Sequence, residues 1–218
     1  MLKSILLAGV IAIAPSAASA AELIKNGGFE NPGITNPCCT TVPTATLADW
    51  TVETGNVNVV NGTFSSTNGN LANEGKQYLD LIGEGGVGSL SQMFGTTIGQ
   101  LYTLTFAYSH NLFGGLQSAS ANYLVAGVNG TVTHSTGSNA NLDWRTANVN
   151  FVATSTNTTL KFVNTAGSAN EGILLDRVSV MAAVPEPSTW ALFLLGFFGV
   201  GGAMRSKKRK SSVAVSYA

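Results

Sequence analysis

The strongest constraint on this chain is an alternation of apolar and polar side chains with a period of two. In Leu101-Tyr-Thr-Leu-Thr-Phe-Ala-Tyr108, one face carries Tyr102, Leu104, Phe106 and Tyr108, and the other Thr103, Thr105 and Ala107. That pattern suits a half-buried strand. Ala147, Val149, Phe151 and Ala153 alternate with Asn148 and Asn150, and Leu160 and Phe162 alternate with Thr159 and Lys161. Further strands are expected over 49–53, 57–60, 77–82, 89–94, 122–128 and 173–181, with Asn-Gly pairs at 61–62 and 129–130 as hairpin signals. No segment between Glu22 and Ala183 carries an apolar stripe at helical spacing. About nine to eleven short strands predict an all-β fold, a sandwich of two antiparallel sheets.

The two ends follow a different logic. Lys3, the apolar run Ile5–Ile13 and the small residues Ala18-Ser19-Ala20 read as a signal peptide over 1–20, so the mature chain is expected to start at Ala21. At the other end Pro185 and Pro187 close the domain, because proline cannot continue a helix and extends the residue before it. Trp190–Met204 is then free of charge, and Arg205, Lys207, Lys208, Arg209 and Lys210 follow. As a helix the uncharged run spans ~22 Å, short of a ~30 Å hydrocarbon core, and snorkelling of Arg205 and Lys207 narrows the gap. The basic cluster marks the cytoplasmic side. Val184-Pro185-Glu186-Pro187, a short apolar helix and a basic stop together resemble the PEP-CTERM sorting signal. The resemblance implies an exosortase that recognises the motif and a precursor held in the inner membrane by a short C-terminal transmembrane helix. It also implies a final place at the cell surface or outside a Gram-negative-type envelope. The expected layout is a β-sandwich over 21–183, the sorting signal over 184–210 and a cytoplasmic tail over 211–218.

The eleven basic and eleven acidic residues balance only over the whole chain. Lys25, Lys76, Arg145, Lys161 and Arg177 are the only cations of the expected domain and face ten carboxylates, a net charge near −5 that argues against nucleic acid as a partner. The two cysteines are neighbours, Cys38 and Cys39. Adjacent Cα atoms lie ~3.8 Å apart against ~4.4–6.8 Å for an ordinary disulfide. A local kink or an intermolecular link is therefore expected, with a strained vicinal disulfide as the alternative.

A second resemblance rests on motifs in order: Asn26-Gly27-Gly28-Phe29-Glu30, Trp50, Glu74-Gly-Lys-Gln-Tyr-Leu-Asp-Leu81, Gly88-Ser-Leu-Ser-Gln92, Tyr102-Thr-Leu-Thr-Phe106 and Leu174-Leu-Asp-Arg-Val-Ser-Val180. This series is similar to galactose-binding-like jelly rolls, in particular bacterial envelope domains of the choice-of-anchor type. It departs from them where a doubled acid is usual and Asp176-Arg177 stands instead. Asp176 shares parity with Leu174, Val178 and Val180, so it is expected to be buried and to need a cation or several donors. The resemblance implies a structural calcium joining first and last strands, with Glu30 and Asp176 as ligands. The alternative is that Asp176 accepts main-chain N–H groups near Asn26–Phe29.

The same resemblance implies polysaccharide binding through aromatic platforms with amide neighbours. Tyr108, His110, Asn111, Tyr123 and Trp144 are the candidates, and the loop His110-Asn-Leu-Phe-Gly-Gly115 is the most suggestive piece. Against this, Trp144 and Tyr108 equally suit the core. Catalysis has little support: His110 and His134 are the only histidines, and neither lies in a metalloprotease or nucleophile-elbow motif. The expectation is a non-enzymatic envelope or matrix protein. A surface or adhesion protein without a discrete ligand, and an exopolysaccharide hydrolase, stand as alternatives.

Overall fold

The computed structural model describes residues 20–43, 47–84, 86–115, 117–183 and 189–207. The expected signal peptide up to residue 19, the motif Val184-Pro185-Glu186-Pro187, Lys208–Lys210 and the tail 211–218 lie outside the described residues. Ala20–Ala183 form one compact unit.

The unit is built from strands β1 (Cys39–Pro43), β2 (Thr51–Thr54), β3 (Asn56–Asn61), β4 (Gln77–Asp80), β5 (Ile82–Gly83), β6 (Gly86–Val87), β7 (Ser89–Gly95), β8 (Leu101–His110), β9 (Ala119–Val125), β10 (Val128–His134), β11 (Arg145–Val152), β12 (Asn157–Ala166) and β13 (Ile173–Ala182). A six-stranded sheet runs β1-β3-β4-β13-β8-β11 and a five-stranded sheet β10-β9-β12-β7-β2, while β5 and β6 form a small ribbon. Every pairing is antiparallel. The sandwich expected from the alternation is therefore present.

The core lies between the sheets. Tyr102, Leu104 and Phe106 of β8 face Leu160 and Phe162 of β12, and the Phe106 and Phe162 rings meet edge to face at 5.0 Å. Burying such rings and aliphatic chains is the main driving force, at roughly 1.5–3 kcal/mol per fully buried large side chain.

Two sequence expectations shift for local reasons. The Asn129-Gly130 pair lies inside β10, and the β9–β10 turn is Ala126-Gly127, both with positive φ (47° and 81°), as a tight two-residue hairpin turn requires. Asn61-Gly62 does not close a tight hairpin either: Asn61 ends β3, the Gly62 N–H donates to Lys76 O, and a long loop leads to β4. In β13 the pairing with β8 slips by one residue between Asp176 and Ser179, where Arg177 has φ 51°. This bulge reverses the parity. Val178 and Val180 join Ile173 and Leu175 in the main core, whereas Leu174 belongs to a second cluster with Val60, Tyr78 and Leu142. Asp176 therefore does not share a face with Val178 and Val180, although it is fully buried as expected.

The second cluster sits on the outer face of the six-stranded sheet, under the loops that follow β3, β8 and β10. Phe64, Leu71, Leu112 and Trp144 pack against it. This roof makes part of the outer face a lined site.

In the second unit, α1 (Thr189–Lys207) is a 19-residue helix. Leu195, Phe197, Phe198, Val200 and Met204 on it are exposed. Among the described residues no helix is long and apolar enough to cross a membrane.

Candidate functional site

The floor of the outer-face site follows from strand register. Asn58 of β3 lies opposite Asp80 of β4, and Val60 opposite Tyr78. Cys39 of β1 pairs with Val60, which brings the Cys38–Cys39 disulfide to the edge of the same patch. The expected kink or intermolecular link is thus a vicinal disulfide within the chain. Phe64, Phe113, Asn111, Asn170 and Glu84 rise around this floor and enclose a cavity of about 190 Å³. The rings of Phe64 and Phe113 are 5.2 Å apart, and Phe113 is half exposed.

Asp80 organises the wall. It is fully buried, its Oδ1 accepts the N–H groups of Ile82 (2.9 Å) and Gly172 (3.1 Å), and its Oδ2 accepts Asn111 Nδ2 (2.7 Å). Burial drives the Asp80 carboxyl up to about 7, against the pull of those donors, and Glu171 adds to the rise. Asn111 is held at both ends, because its Oδ1 accepts the Phe113 N–H at 2.9 Å. Tyr78 is buried, and burial with the nearby Asp80 holds its phenol above the usual range. Its hydroxyl has no hydrogen-bond partner among the described residues. Asn58 is only 8% exposed and its Oδ1 accepts no hydrogen bond among those residues. That oxygen has almost no accessible surface, so it is an internal cost of roughly 1–3 kcal/mol and not a group presented to the cavity.

A second junction joins the first residues of the sandwich to β13. Asp176 Oδ2 accepts the N–H groups of Asn73 (2.8 Å) and Glu74 (2.9 Å), and its Oδ1 accepts the N–H of Arg177 (2.7 Å). Glu30 Oε1 accepts the next donors along the same loop, Lys76 N–H (2.7 Å) and Gln77 N–H (2.8 Å). Burial raises the Asp176 carboxyl to about 7, and the Glu30 carboxylate contributes. The donors come from 73–77 and Arg177 rather than from Asn26–Phe29. Gly27 permits the closeness of the chain ends: a Cβ there would stand 1.9 Å from Val178 O, and Val178 N–H donates to Gly27 O at 2.9 Å. Among the described residues no group of three or more His, Cys, Asp or Glu is arranged to hold a metal.

Residues 22–181 match the family described as a protein of unknown function, DUF642. The chain belongs to the DUF642 family. Residues 183–209 match the PEP-CTERM protein-sorting motif. Halomucin of Haloquadratum walsbyi is 32% identical over 185 residues, 81% of this chain, and the chain spans 2% of that relative's length. Among solved structures, the DUF642 domain resembles a family 61 carbohydrate-binding module in complex with β-1,4-galactotriose (18% identity, 75% of this chain and 99% of that one, TM-score 0.49). It also resembles a family 35 module from Clostridium thermocellum (15% identity, 76% and 100%, TM-score 0.41) and one from Cellvibrio japonicus (18% identity, 67% and 94%, TM-score 0.41).

The five residues expected to contact a sugar are divided by the DUF642 sandwich. Asn111 lines the outer cavity. Trp144 stands behind it, edge-on to Tyr78 at 5.8 Å with its Nε1 donating to Leu71 O. Tyr108 and Tyr123 pack on Phe106 at the inner side. His110 is fully buried, with Nδ1 2.7 Å from Nδ1 of His134. Since His134 Nε2 must donate to the Asp143 carbonyl (2.8 Å), its Nδ1 accepts from His110 when the ring is neutral. Phe64, Tyr78, Asn58, Glu84, Asn170 and the disulfide were not expected at this site. An aromatic among turn residues, as in Asn61-Gly-Thr-Phe64-Ser-Ser66, was the available signal for Phe64.

Proposed function

We propose that this DUF642 protein is exported, held in the inner membrane by α1 until an exosortase acts at Val184-Pro185-Glu186-Pro187, and then binds polysaccharide in the envelope or matrix without cleaving it. The outer-face cavity carries this reading. It combines two aromatic rings, a phenol and an exposed carboxylate, the mixture that stacks a sugar face and pairs its hydroxyls. The sorting motif supports export and processing. The uncharged run and exposed apolar side chains of α1 support its role as a temporary anchor.

Hydrolysis needs two opposed carboxylates. Of the acids at the cavity only Glu84 lines it, because Asp80 is sealed and its oxygens are occupied by three donors. At the junction we infer an oxygen-liganded cation beside Glu30 Oε2, the one oxygen of the Glu30–Asp176 pair that accepts no main-chain N–H, neither carboxylate having a salt bridge to Lys or Arg among the described residues. A structural calcium would neutralise the pair there, with main-chain carbonyls completing the shell.

A glycan microarray probed with the purified protein tests the reading. Saturable binding weakened by Phe113→Ala supports it, and absence of binding to every glycan class overturns it.

A further inference from the structure

The cavity has a size and a charge that select among sugars. At about 190 Å³ it falls below the ~300–1,000 Å³ of pockets for larger ligands. That size suits a single six-membered ring. Its lining includes the Glu84 carboxylate and the Tyr78 hydroxyl, neither of which has a hydrogen bond among the described residues. Asp80 and Glu171 lie behind them. None of the domain's cations is in the lining. Lys161 pairs with Glu53, Arg145 with Asp143 and Arg177 with Glu74, while Lys25 and Lys76 are not among the lining residues.

We propose that this cavity takes a single uncharged sugar ring, stacked at Phe113 and Phe64 with its hydroxyls pairing with the Glu84 carboxylate and the Tyr78 hydroxyl, and that it rejects uronate and other anionic sugars. This rests on the reading of the protein as a polysaccharide binder. A hydroxylated ring supplies a donor to the Glu84 carboxylate and an acceptor to the Tyr78 hydroxyl. A carboxylated ring supplies no donor at that position and adds a like charge beside Glu84, which is unfavourable. The vicinal disulfide closes the remaining side with polarisable sulfur, a surface for the apolar edge of a ring.

Calorimetric titration of the full-length protein tests this. The probes are galactose, galactotriose, cellotriose, galacturonic acid and tri-galacturonate, with Glu84→Gln and Tyr78→Phe as variants. Glu84 is exposed on a turn, so its exchange leaves the packing unchanged. The expected result is binding of at least one neutral probe, about tenfold or more tighter than either uronate. For galactose and its trimer, affinities should agree within a few-fold. Glu84→Gln should narrow the neutral-over-uronate preference, and Tyr78→Phe should weaken neutral binding several-fold. Uronates that bind as well as neutral sugars, or neutral binding that neither substitution alters, would overturn the inference while leaving polysaccharide binding in place. No binding of any probe here and none on the microarray would remove both readings together.

Discussion

Asn111 donates to the buried Asp80 carboxylate at 2.7 Å and, through its own carbonyl oxygen, accepts the Phe113 N–H at 2.9 Å. A carboxylate inside the sheet thus fixes the position of an exposed aromatic ring at the cavity mouth. Asn111 is a positioning residue on this geometry, since both ends of its amide are committed to the protein.

Asn111→Ala should therefore loosen Phe113 and leave Asp80 short of one donor. The expected loss is about tenfold in affinity for a neutral glycan, together with a stability loss of ~1–2 kcal/mol. Titration calorimetry and urea unfolding on the same sample check both. An unchanged affinity with lowered stability would show that Phe113 does not depend on this amide.

The carboxyls of Asp80 and Asp176 rise from an ordinary 3.8 to about 7 on folding. Between those values the folded protein binds more protons than the unfolded chain, so this contribution to stability is complete below pH ~4 and is lost as the pH rises through ~7. The urea midpoint should fall from pH 4.5 to pH 8, and Asp80→Asn or Asp176→Asn should each flatten that slope. A midpoint that climbs across this window would contradict the assignment.

Calcium bound between Glu30 and Asp176 would stabilise the fold by mass action, roughly 2.7 kcal/mol at a hundredfold excess over Kd. Millimolar calcium should raise the Tm, EDTA should reverse the rise, and Glu30→Ala should abolish it. A Tm indifferent to calcium in the unaltered protein would leave the junction to its main-chain hydrogen bonds from 73–77, Arg177 and Val178.

Gly27→Ala should be among the most damaging single changes, because its Cβ would meet Val178 O at 1.9 Å where the chain ends cross. Overpacking of main chain against main chain should cost about 3 kcal/mol or more. Thermal melts measure it. A near-neutral effect would mean that the turn at Asn26–Phe29 can move away from β13.

How much the sequence revealed differs from element to element. Strand β8 was legible because its faces obey one rule from end to end, and β11 and β12 likewise. The same rule misplaced Val178 and Val180 relative to Asp176, since one extra residue at the bulge inverts every side chain beyond it. It also missed β1 and β10: in β10 the faces do alternate, with Val132 and His134 buried, but the Asn129-Gly130 pair reads as a turn. The His110 loop, singled out in the sequence, borders the outer-face cavity. Yet its histidine points inward to His134, while Asn111 and Phe113 form the wall.

By itself the sequence determined the β-sandwich and the sorting signal, because both are written in local order: a period of two between turns, and a motif, an apolar run and a basic stop in series. Only the tertiary structure decided where the site lies. Cys39, Asn58, Phe64, Tyr78, Glu84, Asn111 and Asn170 are far apart in the chain, and antiparallel register with three covering loops brings them to one cavity. Proximity of that kind is a property of strand pairing across the sheet, and composition along the chain does not encode it.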